Sequence, residues 1–245
     1  MKKTIFSIMA LAMALVSCTN EVLTDVDGYG TIVLSVNNDE TVTRAAKAVA
    51  DLNGWVVKAN NGSEDITLTT ASTKVKEGKY TVSAQSHASE DAALQANGGW
   101  GAAYYEGTSA SVKVDAGQTA EATVDCGTAK NARLKVQFSL VSNFTDYSLK
   151  AERELVFNSS NATSALAYYA ATEEVEYTLS YKYNGTPKEI TGKITMKGAA
   201  TENIISISSN DNGTISVTVN YDDTFGTGNS ENLEFDAATG DEVKE

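Results

Sequence analysis

Apolar and polar residues alternate along most of the chain, and the alternation has the period of a β-strand. In the stretch "TISVTVNY", Ile215, Val217 and Val219 fall on one face, while the residues between them are polar. This pattern is typical of a strand that is buried on one face only. Ten stretches of this kind are predicted to be strands: residues 31–36, 55–59, 80–85, 109–114, 120–126, 132–140, 175–183, 189–196, 204–208 and 214–221.

Short turn signals separate these strands. The sequences "NNG", "YNGT" and "NDNG" place Gly or Asn where a tight turn needs a positive φ, and the chain has one proline. Strands and turns that repeat about every 8 to 12 residues predict an all-β fold of antiparallel β-sandwiches. Ala-rich stretches at 43–52, 89–96 and 163–174 predict short helices between strands.

The length of the chain and a break near residues 127–131 predict two tandem sandwich domains. The predicted N-terminal domain spans residues 28–130, and the C-terminal domain spans residues 131–236. Residues 18–27 are predicted to form a polar tether, and residues 237–245 an acidic tail.

The first 18 residues have the pattern of a bacterial lipoprotein signal peptide. Lys2 and Lys3 precede an apolar run from residue 5 to 16, which is too short to span a membrane and has the length of a signal-peptide core. The sequence Leu-Val-Ser-Cys at 15–18 resembles a lipobox, in which Cys18 is acylated and becomes the new N-terminus. Acyl chains anchor a protein to a membrane through the burial of their methylenes. The sequence therefore predicts a signal peptide at 1–17 and a lipid-anchored protein of the outer membrane or cell surface. The alternative is an ordinary secretory signal that contains a cysteine.

The charge of the chain limits its partners. Removal of residues 1–17 takes away two lysines, and 19 minus 2 leaves 17 basic against 32 acidic residues, a net charge of −15. We expect no nucleic-acid partner, because phosphate binding needs a basic patch. With Cys18 acylated, Cys126 would be the remaining thiol, so we expect no intramolecular disulfide and interpret Cys126 as a small buried apolar residue.

Few residues could support catalysis. His87 is the one histidine, and no nucleophile-elbow, zinc-protease or phosphate-loop motif occurs in the chain. Acidic pairs such as those at 173–174 and 222–223 are interpreted as solvated surface in such an acidic protein. We therefore expect no enzyme activity, no catalytic residue, no metal site and no cofactor.

A glycine-rich aromatic stretch is the most open feature of the sequence. In "GGWGAAYYEG" (residues 98–107), Trp100, Tyr104 and Tyr105 are candidate glycan-binding residues, because flat aromatic faces can stack on sugar rings. The alternative is that these rings fix the loop to the sandwich. A host or dietary glycan is accordingly one predicted class of partner.

Several stretches together resemble a known family. These are "GYGTIVLSV" after the lipobox, then "VTRAA", "VKEGKYTVSAQS" and "AAYYEGTSASVKVDAGQTAEATVDCGTAKNARLKVQF". They resemble the DUF4493 group of Bacteroides-type lipoproteins, which is similar to fimbrillin-like surface proteins, over about residues 28–236. The resemblance implies two transthyretin-like β-sandwich domains, a surface location and no assigned enzyme activity.

The resemblance also implies a role for Arg44. In fimbrillin-like subunits a protease cuts after an arginine in this place and removes the lipidated first strand, so we expect proteolytic processing between Arg44 and Ala45. A neighbouring subunit would then add a strand to the exposed edge, and residues 231–237 ("ENLEFDA") are the predicted donor. The expected function is a structural or adhesive one, as a pilus subunit or surface adhesin. The alternative is a surface glycan-binding lipoprotein that uses the aromatic loop.

Overall fold

The computed structural model describes residues 28–37, 54–222, 230–240 and 242. Within these residues the chain forms mainly β-strands, with one short α-helix, α1 (Glu90–Leu94), and two short 3₁₀ helices, Asn97–Gly99 and Glu152–Glu154. No helix in this part of the chain is long and apolar enough to cross a membrane. Cys18, Arg44 and Ala45 lie outside the described residues.

In the described residues, the N-terminal sandwich contains eight strands in two sheets. One sheet has the order β4-β1-β8, and the other has the order β3-β2-β5-β6, with β7 also paired to β5. The strands are β1 (Tyr29–Asn37), β2 (Val56–Asn60), β3 (Asp65–Thr67), β4 (Ser72–Lys76), β5 (Gly78–Gln85), β6 (Glu106–Thr108), β7 (Val112–Val114) and β8 (Thr119–Asp125).

The described part of the C-terminal sandwich contains nine strands in two sheets. Their orders are β11-β10-β13-β14 and β12-β9-β15-β16-β17. The strands are β9 (Ala132–Ser139), β10 (Phe144–Ala151), β11 (Leu155–Asn158), β12 (Ala167–Tyr169), β13 (Glu174–Tyr183), β14 (Thr186–Thr195), β15 (Glu202–Ser209), β16 (Thr214–Asp222) and β17 (Ser230–Asp236). The predicted all-β fold with sandwiches of mainly antiparallel strands is confirmed.

Each sandwich encloses its own apolar core. One cluster of buried apolar residues comes from positions 32–126, and the other comes from positions 132–237. Both cores follow the alternation of the sequence, because successive side chains of a strand point to opposite faces of its sheet. In β13, for example, Val175, Tyr177, Leu179 and Tyr181 are buried, and the residues between them reach the surface.

The first strand of each sandwich has the same two kinds of neighbour. β1 pairs antiparallel with β4 on one side and parallel with β8 on the other. In the same way β9 pairs antiparallel with β12 and parallel with β15. In both cases the antiparallel partner is short and covers only the first part of the strand.

The ten predicted strands are all present, but seven further strands were missed: β3, β4, β6, β10, β11, β12 and β17. The helix predicted at 89–96 is confirmed as α1, and the one predicted at 43–52 lies outside the described residues. The helix predicted at 163–174 is wrong. β12 occupies part of this stretch because Ala167 and Tyr169, two residues apart, are both buried in the core.

The predicted acidic tail begins inside the C-terminal sandwich. Ala237 is fully buried, and its carbonyl oxygen accepts a hydrogen bond of 3.1 Å from the hydroxyl of Tyr181. The backbone N–H of Ala237 donates to the carbonyl of Gly213 at 2.8 Å. The first residue of this segment therefore belongs to the folded domain, since its small side chain fills the core.

Candidate functional site

β1 is the central strand of its sheet and a large contributor to the N-terminal core. Ile32, Leu34 and Val36 are 1%, 3% and 0% exposed. Its backbone is held on both sides: the N–H of Thr31 donates to the carbonyl of Gln118 at 2.8 Å, and the N–H of Leu34 donates to that of Ala71 at 3.0 Å. Both sheet neighbours of β1 would therefore gain an unpaired edge if this strand were removed.

Gly30 allows β1 to approach the turn between β7 and β8 closely. A Cβ atom at this position would lie 2.4 Å from the carbonyl oxygen of Asp115 and 2.5 Å from Cγ1 of Val114. Real Cβ atoms do not come this close, so glycine is required for the observed packing. Gly30, the second glycine of the stretch "GYGTIVLSV" that carries the family resemblance, is thus needed for close packing.

The three arginines of the chain have different surroundings. Arg44 follows β1 in sequence and lies outside the described residues. Arg133 lies within β9, where its Nε is 2.7 Å from a carboxylate oxygen of Glu202 and both side chains are largely buried. Arg153 lies between the two sandwiches, where backbone carbonyls bind its guanidinium.

The predicted aromatic stretch belongs to a longer segment between β5 and β6, residues 86–105, which we call the junction loop. It contains α1, whose N-terminal cap is Ser89, with the Ala92 N–H donating to the Ser89 hydroxyl at 3.1 Å. Trp100 in this loop is half-buried and makes an edge contact with Phe157 of the C-terminal core, with ring centroids 5.0 Å apart. The junction loop therefore connects the first sandwich to the core of the second.

The two tyrosines of the stretch pack separately from Trp100. Tyr104 is 4% exposed, and its hydroxyl donates to Glu106 at 3.0 Å. Burial, together with the neighbouring Glu106 carboxylate, raises the pKa of Tyr104 to about 12. Tyr105 stacks on Trp55 with ring centroids 6.3 Å apart and planes within 11° of parallel. These contacts use the candidate rings for packing, and glycan binding by Trp100, Tyr104 and Tyr105 stays a prediction.

Arg153 fixes the junction loop to the C-terminal sandwich. Its Nη1 donates to the carbonyl of Leu94 at 2.7 Å, its Nη2 donates to the carbonyl of Tyr168, and its guanidinium carbon lies 4.2 Å from the ring centre of Tyr169. Arg153 and the next residue, Glu154, both have a positive φ, 62° and 61°. Such strain persists only where surrounding contacts impose it, and the guanidinium contacts do so here.

A second polar connection comes from Asn131, which is 1% exposed. Its side-chain N–H group donates to the carbonyl of Ala102 at 2.8 Å, and its side-chain oxygen accepts from the N–H of Tyr104 at 3.0 Å. The N–H of Tyr168 also donates to the carbonyl of Trp100 at 2.8 Å. Asn131 lies in one of the stretches that carry the family resemblance, but no local signal in the sequence indicated Arg153.

The remaining candidates for chemistry have structural surroundings. Cys126 is 1% exposed, its Sγ lies 3.7 Å from the carbonyl of Ala84, and burial raises its thiol pKa to about 11. The prediction of a small buried residue is confirmed for Cys126. His87 is half-buried, and its Nδ1 lies 3.1 Å from the hydroxyl of Ser86. Within the described ranges, no group of three metal-binding side chains comes together.

The family model for a domain of unknown function, DUF4493, matches residues 28–237. The match covers both sandwiches, so the chain belongs to the DUF4493 family, and the resemblance predicted from the sequence is confirmed. No curated protein matches the chain.

Solved structures with a similar arrangement of strands have low sequence identity to this chain. A candidate cell adhesion protein from Bacteroides ovatus is 9% identical, with 79% of this chain and 95% of the other covered at a TM-score of 0.40. A fimbrial assembly protein from Parabacteroides distasonis is 12% identical, with coverage of 78% and 94% and a TM-score of 0.42. A pilus adhesin from Lactobacillus rhamnosus GG is 9% identical, with coverage of 73% and 30% and a TM-score of 0.30.

Proposed function

We propose that this protein is a lipid-anchored structural or adhesive subunit of the bacterial surface, which assembles by strand exchange after cleavage between Arg44 and Ala45. In this proposal Cys18 carries the lipid that delivers the chain to the outer membrane. Cleavage at Arg44 separates the anchored first strand from the rest of the protein. A strand from a neighbouring subunit then takes its place.

The observation that carries the proposal is the position of β1. This strand is central in its sheet and fills the core with Ile32, Leu34 and Val36. It also precedes Arg44 in the chain, so a cut there leaves β1 attached to the first sandwich by non-covalent contacts alone. A replaceable strand needs both properties.

The surroundings of the other two arginines favour cleavage at Arg44. Arg133 is in the middle of a paired strand and in an ion pair with Glu202. Arg153 is held by two backbone carbonyls at the junction. A protease needs an extended and accessible segment, so an arginine-specific enzyme would find both of these residues protected in the folded protein.

The energetics favour replacement of β1 over its simple loss. Each large apolar side chain contributes about 1.5 to 3 kcal/mol on burial, and each hydrogen bond about 0.5 to 1.5 kcal/mol. β1 would therefore remain bound after the cut until a competing strand supplies the same contacts. The proposed donor, residues 231–237, includes most of β17, an edge strand that pairs with β16. Phe235 and Ala237 are buried in the donor's own domain, so β17 must leave its sheet in order to donate.

Mass spectrometry of the protein from intact cells tests this proposal. We expect two forms, one that begins at acylated Cys18 and one that begins at Ala45, and an SDS-resistant ladder in unboiled surface extracts. The Arg44→Ala substitution should abolish both the shorter form and the ladder.

The matched control is Lys47→Ala, which removes a positive charge three residues away and should change neither result. If every molecule retains acylated Cys18, and Arg44→Ala alters neither mass nor assembly, then the strand-exchange proposal is wrong. The protein would in that case act as an intact surface lipoprotein.

A further inference from the structure

Among the described residues, the last part of β9 has a strand partner on one side only. β15 pairs with this strand up to Ser139, but β12 pairs with residues 132–134 alone. No other strand in the described part of the chain pairs with residues 135–139. Residues 135–139 of β9 therefore form an unpaired strand edge, which we call the β9 edge.

The direction of the free backbone groups follows from the pairing. The N–H of Arg133 donates to the carbonyl of Thr201, the residue just before β15, so the odd-numbered residues of β9 bond toward β15. Because backbone groups alternate in direction along a strand, the N–H and C=O groups of Val136 and Phe138 point to the opposite side. These four groups are the ones that an added strand would bind.

The β9 edge forms one wall of a groove of about 440 Å³. The opposite wall is the segment between β11 and β12, with Ala162 buried and Thr163 exposed at the rim. Half-buried Phe138 and Tyr147 form the apolar floor, with ring centroids 4.9 Å apart. A free strand edge beside apolar side chains is the geometry used for strand addition.

The charge at this groove indicates which kind of strand it would accept. Lys135 is the one charged residue of its lining, in a protein with a net charge of −13. Lys135 forms no ion pair within the described ranges. A strand with carboxylates on its outer face would place one of them beside this ammonium group.

Other edges of the C-terminal sandwich carry features that oppose strand addition. β14 contains Pro187, Lys188, Glu189 and Lys193, and β17 contains Glu231, Glu234 and Asp236. Proline and repeated charges are the usual protection of edge strands. The β9 edge has Lys135, Gln137 and Ser139 on its outward face, so it carries a single charge and no proline.

We infer that the β9 edge binds an extended acidic segment of a partner protein by strand addition. The partner segment pairs with the backbone of Val136 and Phe138, places alternate apolar side chains against Phe138 and Tyr147, and directs a carboxylate to Lys135. This site is separate from the groove that β1 occupies and does not depend on cleavage at Arg44.

The test uses full-length protein with Arg44→Ala in detergent, so that β1 stays in place. The probe is a nine-residue peptide in which aspartate and valine alternate, and a lysine–valine peptide is its charge control. We expect the acidic peptide to bind and to slow hydrogen exchange of the Val136 and Phe138 amides. The same peptide with alternate amides N-methylated should not bind, because it cannot complete the hydrogen-bond ladder.

Two variants locate the binding. Lys135→Glu should weaken binding of the acidic peptide about tenfold, because an attraction becomes a repulsion, and should improve binding of the lysine peptide. Thr163→Trp should fill the groove and abolish binding, whereas Thr195→Trp, at an exposed position of β14, should not. Absence of binding, equal binding of both peptides, or exchange protection confined to β14 or β17 would overturn the inference.

Discussion

β1 and β9 occupy equivalent places in their sandwiches, but they differ in how the chain holds them. Each has a short antiparallel partner and a parallel one. β9 is joined to β8 before it and to β10 after it, so one cut cannot release it. A cut after β1, in contrast, separates that strand from everything that follows. A single cut outside the sandwich can therefore separate β1, but not β9, from the rest of its domain.

The two cores also differ in how much they depend on β1 and β9. Among the described residues, β1 supplies three of the 14 members of the N-terminal cluster, and β9 supplies three of the 25 members of the C-terminal one. The outer edge of β15 is also covered by β16 and β17, whereas β8 has no strand beyond it in the described sheets. The N-terminal sandwich thus depends more on its first strand than the C-terminal sandwich does.

The largest effect is expected from Leu34→Ala, compared with Leu134→Ala in β9. Both leucines are buried, and such truncations cost about 2 to 5 kcal/mol of unfolding free energy. Leu34→Ala should destabilise the N-terminal sandwich and speed the loss of β1 after cleavage, while Leu134→Ala should do neither. Urea unfolding followed by Trp55 fluorescence, in a Trp100→Phe background, reports on the first sandwich. Equal effects of both substitutions on Trp55 would contradict the comparison.

A smaller effect is expected at the junction. Arg153→Ala removes two hydrogen bonds from a charged donor and should cost about 2 to 3 kcal/mol. The junction loop should then detach from the second sandwich at lower urea, which Trp100 fluorescence in a Trp55→Phe background measures. Arg133→Ala breaks the ion pair between β9 and Glu202 of β15. This variant should not change the difference between the urea concentration at which the loop detaches and the one at which the protein unfolds globally. If Trp100 reports the same unfolding with and without Arg153, then this arginine does not hold the domains together.

The smallest effect is a pH dependence that separates the two sandwiches. Burial raises the pKa of Cys126 to about 11, against about 8.5 in an unfolded chain, so its stabilising contribution is complete below about pH 8.5 and is lost as the pH rises to about 11. Burial raises the pKa of Tyr169, in the second sandwich, to about 12. The stabilising contribution of Tyr169 is therefore lost only above about pH 10, the ordinary pKa of a tyrosine. We expect the N-terminal sandwich to weaken first, as measured by the urea midpoint of Trp55 fluorescence. Cys126→Ala should remove the earlier loss, and a midpoint that falls equally in this variant would refute the assignment.

Strands with a clear period-two alternation could be predicted from the sequence, and several shorter or less regular strands could not. All ten predicted strands are present in the described residues, because their alternation places apolar side chains on one buried face. β4 and β12 were missed because each shows few inward residues: β4 buries Val75, and β12 buries Ala167 and Tyr169. These short strands are nevertheless the antiparallel partners that hold β1 and β9 in place.

The aromatic stretch at residues 98–107 shows a different limit of prediction from sequence. Its composition indicated either a ligand surface or a packed loop, since Trp100 and Tyr105 could serve in both. Their partners, Phe157 and Trp55, are distant in the chain, and no local pattern identifies them. Arg153 gave no signal either, because its partners are backbone carbonyls, which every residue type possesses.

By itself the sequence determined the all-β class, the inward faces of the long strands and the family, since these follow from local alternation and from residue identity. Only the tertiary structure decided that β1 is a central strand with a parallel partner, that the junction loop packs against the second core, and that no second strand of the described chain pairs with the end of β9. The physical reason is that strand pairing and loop packing join residues far apart in sequence. Backbone hydrogen bonds are the same for almost every residue type, so they do not specify which strands pair. The pairing is selected by how well the apolar faces of the strands pack together in each core.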